Sequence, residues 1–172
     1  MKLTSQIRPY DNQWPERYLA ARAGIAQGFG SELIDIHHVG STGVPGLAAK
    51  PEIDVLVVVQ AHRETAARHA HMQALGYVRG SDLSPGHHFY RRDVDGIRTH
   101  KVHVCAQGHP QIAWMLRFRD LLRSDDDLRQ RYQALKLELE ATNRDGIGEY
   151  LAGKAPFIEA AMRGQVPSQG GV

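Results

Sequence analysis

Glu52 and Asp54 stand one residue apart at the mouth of VLVVV, an uninterrupted β-branched run from Val55 to Val59. In a strand, alternate residues face the same side, so both carboxylates point one way while Ile53 and Val55 point the other. Like charges that close repel, and a cation between them relieves the repulsion. Hard divalent ions such as Mg2+ take oxygen ligands of this kind and keep waters for a phosphate. Metal-assisted phosphoryl chemistry is therefore the reading that makes most of the pair, with Asp54 and Glu52 as metal ligands. The plainer reading is a solvated strand edge.

Just upstream, Gly40-Ser41-Thr42-Gly43 forms a small-residue segment after an apolar run. Its backbone N–H groups and hydroxyls have the make-up of an anion-binding nest, with Gly40, Ser41 and Thr42 as candidate phosphate contacts. Lys50, four residues before Asp54, adds a cation near the same place.

The elements that must position these groups follow from periodicity. Asp11 to Phe29 repeats apolar residues near every 3.6 positions, with Asp11 or Asn12 placed to cap and Pro15 in the first turn. A short strand over residues 33–39 stops at Gly40-Ser41, and 55–59 reads as a strand covered on both faces. Residues 62–75 read as a helix closed by Gly76. Strands over 87–93 and 98–105 flank Asp95-Gly96, a hairpin turn signal. Helices follow over 112–122, 125–142 and 147–162, separated by SDDD and NRDG. This order predicts an α+β fold in a single domain over residues 1–164, with a flexible tail at 165–172.

With 42% hydrophobic and 23% charged residues, the composition is that of a globular protein, and no apolar run approaches the ~20 residues of a membrane-spanning helix. The N-terminus lacks a secretory pattern, and Cys105 is the single cysteine, so a reducing cytoplasm is expected. A net charge of +2 gives no general case for nucleic acid. The sequence does not address the oligomeric state.

HVGSTGVPGLAAKPEID resembles the signature of the GrpB family, and the likeness continues through YDNQWP, RTHKVHV, FRDLLRSDDDLRQRYQALK and EYLAGKAPFIE, covering Tyr10 to about Met162. The family resembles the nucleotidyltransferases, which implies a mixed β-sheet with flanking helices and a helical C-terminal third. It further implies that Ser41 and its turn hold the phosphates of a nucleoside triphosphate, with Glu52 and Asp54 binding Mg2+ or Mn2+. The superfamily's third acid has no counterpart on the strand from Arg98 to Val104. His103 takes the corresponding place, as a base or as a ligand to a softer ion, and Asp93 and Asp95 lie only in the hairpin.

Arg91, Arg92, Arg98, His100 and Lys101 lie on or beside the hairpin. Arg98 and His100, with His103 if the strand is regular, are expected to share one face and clamp an anionic substrate, or else to cover an edge strand. Arg119, Lys136 and Lys154 match family positions in the helical third. The resulting expectation is metal-dependent nucleotidyl transfer from a triphosphate to a small acceptor. The alternatives are a non-catalytic binder of a nucleotide or coenzyme A precursor, since GrpB-like regions occur fused to dephospho-coenzyme A kinase, and a metal-dependent phosphohydrolase.

Overall fold

The computed structural model describes residues 5–166 of the chain. Its frame is a five-stranded mixed sheet, in the order β1-β2-β5-β4-β3. Strand β1 (Leu33–Val39) runs antiparallel to β2 (Ile53–Val59), β2 runs parallel to β5 (Ile97–Ala106), and β4 (His87–Val94) pairs antiparallel with β5 and with the short β3 (Val78–Arg79). Helices α1 (Trp14–Phe29) and α2 (Ala66–Ala74) precede and follow the first hairpin; α3 (Pro110–Ser124), α4 (Asp126–Thr142) and α5 (Ile147–Met162) form the C-terminal third.

The β-branched run is buried as its pattern requires. Val55, Leu56, Val57 and Val59 are fully enclosed between two layers. On one face Ile53, Val55 and Val57 pack with Ile25 and Phe29 of α1 and Met72 of α2. On the other, Val39, Leu56, Val58 and Cys105 meet Ile112, Met115 and Leu116 of α3. A third cluster joins Val44 and Leu47 to Leu122, Leu128, Tyr132 and Ala161, fastening the 40–50 loop to the helical third.

Local chemistry sets the element ends. Helix α1 begins at Trp14 rather than Asp11, because the Asp11 carboxylate accepts from Gln13 N (2.8 Å) in the turn ahead of it. Helix α2 begins at Ala66 rather than His62: Thr65 caps it by accepting from Arg68 N, while the His62 ring is bonded to Gly86 in the loop before β4 and to Ala106 at the end of β5. Gly76, at φ +84°, ends α2, with Gly76 N bonded to Gln73 O and Tyr77 N to Met72 O. Asp95 and Gly96 both have positive φ in the β4–β5 turn, and Asp125 caps α4 through Leu128 N (2.9 Å). Strand β3 is two residues long and leaves no periodic trace in the sequence. The tail expected at 165–172 lies, from residue 167 onward, outside the described residues.

Candidate phosphate-binding cleft

The turn after β1 and the start of β2 are built against each other. Gly40 has φ +68°, and a Cβ placed on it would lie 2.4 Å from Asp54 Oδ2, so the position demands glycine for both backbone angle and space. Thr42 is buried; its hydroxyl donates to Glu52 O (3.0 Å) and is paired with His38 Nε2 (3.0 Å). Burial holds His38 near a pKa of about 4, so it is neutral and donates its Nε2–H to that hydroxyl. Thr42 thus ties the turn to β2 rather than offering its hydroxyl to a ligand. Two arginines of α3 grip the same turn: Arg119 donates to His38 O (3.0 Å) and Arg123 to Gly43 O (2.8 Å). Gln133 of α4 accepts from Ala48 N (2.7 Å).

The parallel register of β2 and β5 decides which side chains meet the acids. Asp54 lies beside Lys101 and Leu56 beside His103, on the face that carries Glu52 and Asp54. Lys101 Nζ reaches Glu52 Oε2 at 2.5 Å and Asp54 Oδ1 at 3.9 Å. Burial opposes the Lys101 charge, but Asp54 and Glu52 outweigh it and raise the pKa; burial likewise opposes the Asp54 carboxylate, and Lys101 and His103 hold its pKa below the usual range. His103 Nε2 is 3.8 Å from Asp54 Oδ1, and its Nδ1 is 2.9 Å from His87 Nε2.

Across the cleft stand ammonium groups from the helical third. Lys136, 2% exposed, donates to Ala48 O (2.5 Å) and Ser41 Oγ (3.2 Å), and burial drives its pKa down to about 7. Lys154 is lowered to about 8, chiefly by burial and then by Lys101. Lys50 is also lowered by burial and lies over the Tyr150 ring, 4.4 Å from its centroid. These groups line two adjoining cavities. One, of about 80 Å³, is bounded by Ser41, Lys50, Glu52, Asp54, Lys136 and Lys154. The other, of about 220 Å³, shares Ser41, Asp54, Lys101 and Lys154 and has an apolar wall of Trp114, Met115, Phe118 and Ile158.

The structure therefore brings together Gly40, Ser41, Lys50, Glu52, Asp54, His103, Lys136 and Lys154. Arg98 and His100 do not join them. Strand alternation puts His100 on the opposite face from His103, where it lines a separate pocket with Arg17, Tyr77 and Arg92, while Arg98, beyond an irregularity in the β4–β5 register, is paired with Asp93. Arg91, opposite Lys101 across the β4–β5 pair, is exposed at the rim. Sequence reasoning missed the contact of Lys101 with both acids, the apolar wall from α3 and α5, and Arg123. Residue parity would have separated His103 from His100, but the parallel partner of β2 carries no sequence signature.

A family model described as GrpB protein matches residues 4–164. The chain belongs to the GrpB family. Among its relatives, the UPF0157 protein YqkA of Bacillus subtilis is 36% identical over 91% of this chain and 46% of its own length, so the chain spans about half of that relative. A UPF0157 protein of Streptomyces coelicolor is also 36% identical, over 90% of this chain and 80% of its own. The crystal structure of the GrpB protein from Enterococcus faecalis superposes with a TM-score of 0.84 at 29% identity, covering 93% of this chain and 96% of that one. The Cid1 poly(U) polymerase bound to MgATP superposes at 0.56 with 12% identity, over 86% of this chain and 50% of that one. This GrpB chain thus has a nucleotidyltransferase-like fold.

That fold implies a divalent ion held by carboxylates. The donors here do not fit a resident ion. Glu52 has Oε1 accepting from Ser5 Oγ (3.0 Å) and Oε2 taken by Lys101. Among the described residues, no group of three or more His, Cys, Asp or Glu side chains is arranged to hold a metal. Asp93 is engaged by Arg98 on the hairpin.

Proposed function

We propose that the cleft binds a nucleoside triphosphate and transfers its nucleotidyl group to a small acceptor. The observation that carries this reading is the convergence of Lys136 and Lys154, two partly desolvated ammonium groups, on the Gly40–Ser41 turn beside Asp54. Buried ammoniums without a carboxylate each are costly, and an incoming polyphosphate supplies the missing charge. The phosphates take the smaller cavity. The apolar wall of Trp114, Phe118 and Ile158 suits the base or an apolar part of the acceptor.

In the transfer, an acceptor oxygen forms a bond to the α-phosphorus as the bond to the leaving pyrophosphate breaks. The acceptor proton passes to His103 Nε2, the ring nitrogen that faces Asp54. Lys154 and Lys136 stabilise the charge that gathers on the phosphate oxygens. Mg2+ or Mn2+ chemistry, expected from the fold, is assigned no step.

A second reading is favoured by Lys101, which already neutralises the acids: a nucleotide- or coenzyme A precursor-binding protein without turnover. A dephospho-CoA kinase of Mycolicibacterium paratuberculosis is 27% identical over 92% of this chain and 45% of its own length, which supports the coenzyme A variant. Pyrophosphate release separates the two. Release beyond the molar amount of protein, with ATP and a panel of small hydroxyl and amine acceptors, supports transfer. ATP binding with no release supports the binder, and no binding of any nucleotide overturns both.

A further inference from the structure

We propose that Lys101 is the resident cation of this cleft, filling the place between Glu52 and Asp54 that a nucleotidyltransferase-like fold otherwise gives to a divalent ion. The register puts it there: Lys101 is the residue beside Asp54 in the parallel β2–β5 pair, so its side chain rises from the same face as the acids. Its ammonium is 2.5 Å from Glu52 and 3.9 Å from Asp54, and the three side chains are 31%, 9% and 19% exposed. A divalent ion entering between these carboxylates would meet an ammonium already in contact with one and near the other. It would have to expel that group or bear its repulsion.

The cleft also has little need of an imported cation. Lys50, Lys136 and Lys154 face the acids' end of the cavities, so lysines outnumber carboxylates around the phosphate seat. A phosphorylated ligand is thereby neutralised by the chain itself. Resting on the phosphate-binding reading for this half only, ATP binds without metal.

The test separates the two halves. Mn2+ alone is titrated by electron paramagnetic resonance into the wild-type chain, Lys101→Met, Lys101→Arg and the double variant Lys101→Met/Glu52→Gln, with folding followed by circular dichroism. Lys101→Met is expected to bind one Mn2+ at least about tenfold more tightly than wild type. Lys101→Arg should not gain the site, and Glu52→Gln should remove it again. Wild type binding Mn2+ as tightly as Lys101→Met, or Lys101→Met gaining nothing, overturns the assignment. For wild type, which needs no variant to fold, ATP binding is measured in EDTA and in Mg2+. Binding at least as tight in EDTA is expected, and binding seen only with Mg2+ overturns it. If ATP binds in neither, the phosphate reading has failed, and the Mn2+ titration alone still decides the role of Lys101.

Discussion

At the scale of single residues, the cleft depends first on a position that can carry no side chain. Gly40 holds a left-handed backbone angle with the Asp54 carboxylate packed where a Cβ would go. Gly40→Ala is expected to cost about 1–3 kcal/mol in chemical denaturation and to displace Asp54, abolishing nucleotide binding. Lys136 behaves differently. Its ammonium is buried, with Ala48 O and Ser41 Oγ as hydrogen-bond partners, and its pKa falls from 10.5 to about 7. Lys136→Met removes a costly buried charge, so the melting temperature should hold or rise while affinity for ATP falls at least about tenfold. A large loss of stability in that variant would mean that the lysine serves the fold rather than a ligand.

At the scale of elements, the same burial sets a pH dependence with a definite sign. Between about 7 and 10.5 the unfolded state holds the Lys136 proton and the folded state does not, so this group makes stability rise with pH across that window. Ligand binding runs the other way, because an anion favours the charged form. ATP affinity should fall as pH rises through 7 to 8, where Lys136 and Lys154 lose their protons, and calorimetry at pH 8 in buffers of different ionisation enthalpy should show proton uptake. Strand β2 is the rigid base for all of this. Leu56→Ala, in its enclosed centre, is expected to cost about 2–5 kcal/mol in denaturant unfolding.

The elements also show what the sequence could and could not reveal. VLVVV, Asp95-Gly96, Gly76 and the SDDD cap each carry a local physical reason for their structure, and each forms as its residues require. The pairing of β2 with β5 is non-local, and the expectation of one shared face for Arg98, His100 and His103 fails at His100, whose odd spacing from His103 sets it on the other face. The approach of Lys136 and Lys154 to Ser41 likewise depends on how α4 and α5 pack. A family likeness points to those lysines; helical periodicity alone gives them a solvated surface.

At the scale of the whole molecule, a mixed sheet carries α1 and α2 on one face, while α3 packs on the other. The cleft opens where the helical third meets the Gly40–Ser41 turn at the start of β2. No helix among the described residues is long and apolar enough to cross a membrane. The family and the nucleotidyltransferase-like fold are common to the Enterococcus faecalis protein, and in this chain Lys101 pairs with Glu52 and Asp54. The most direct measurement is a crystal structure of the chain with a non-hydrolysable ATP analogue. The phosphates are expected between the Gly40–Ser41 turn and the ammoniums of Lys136 and Lys154, with Lys101 still on Glu52. Phosphates seated instead on the opposite sheet face, against Arg92 and His100, would contradict this.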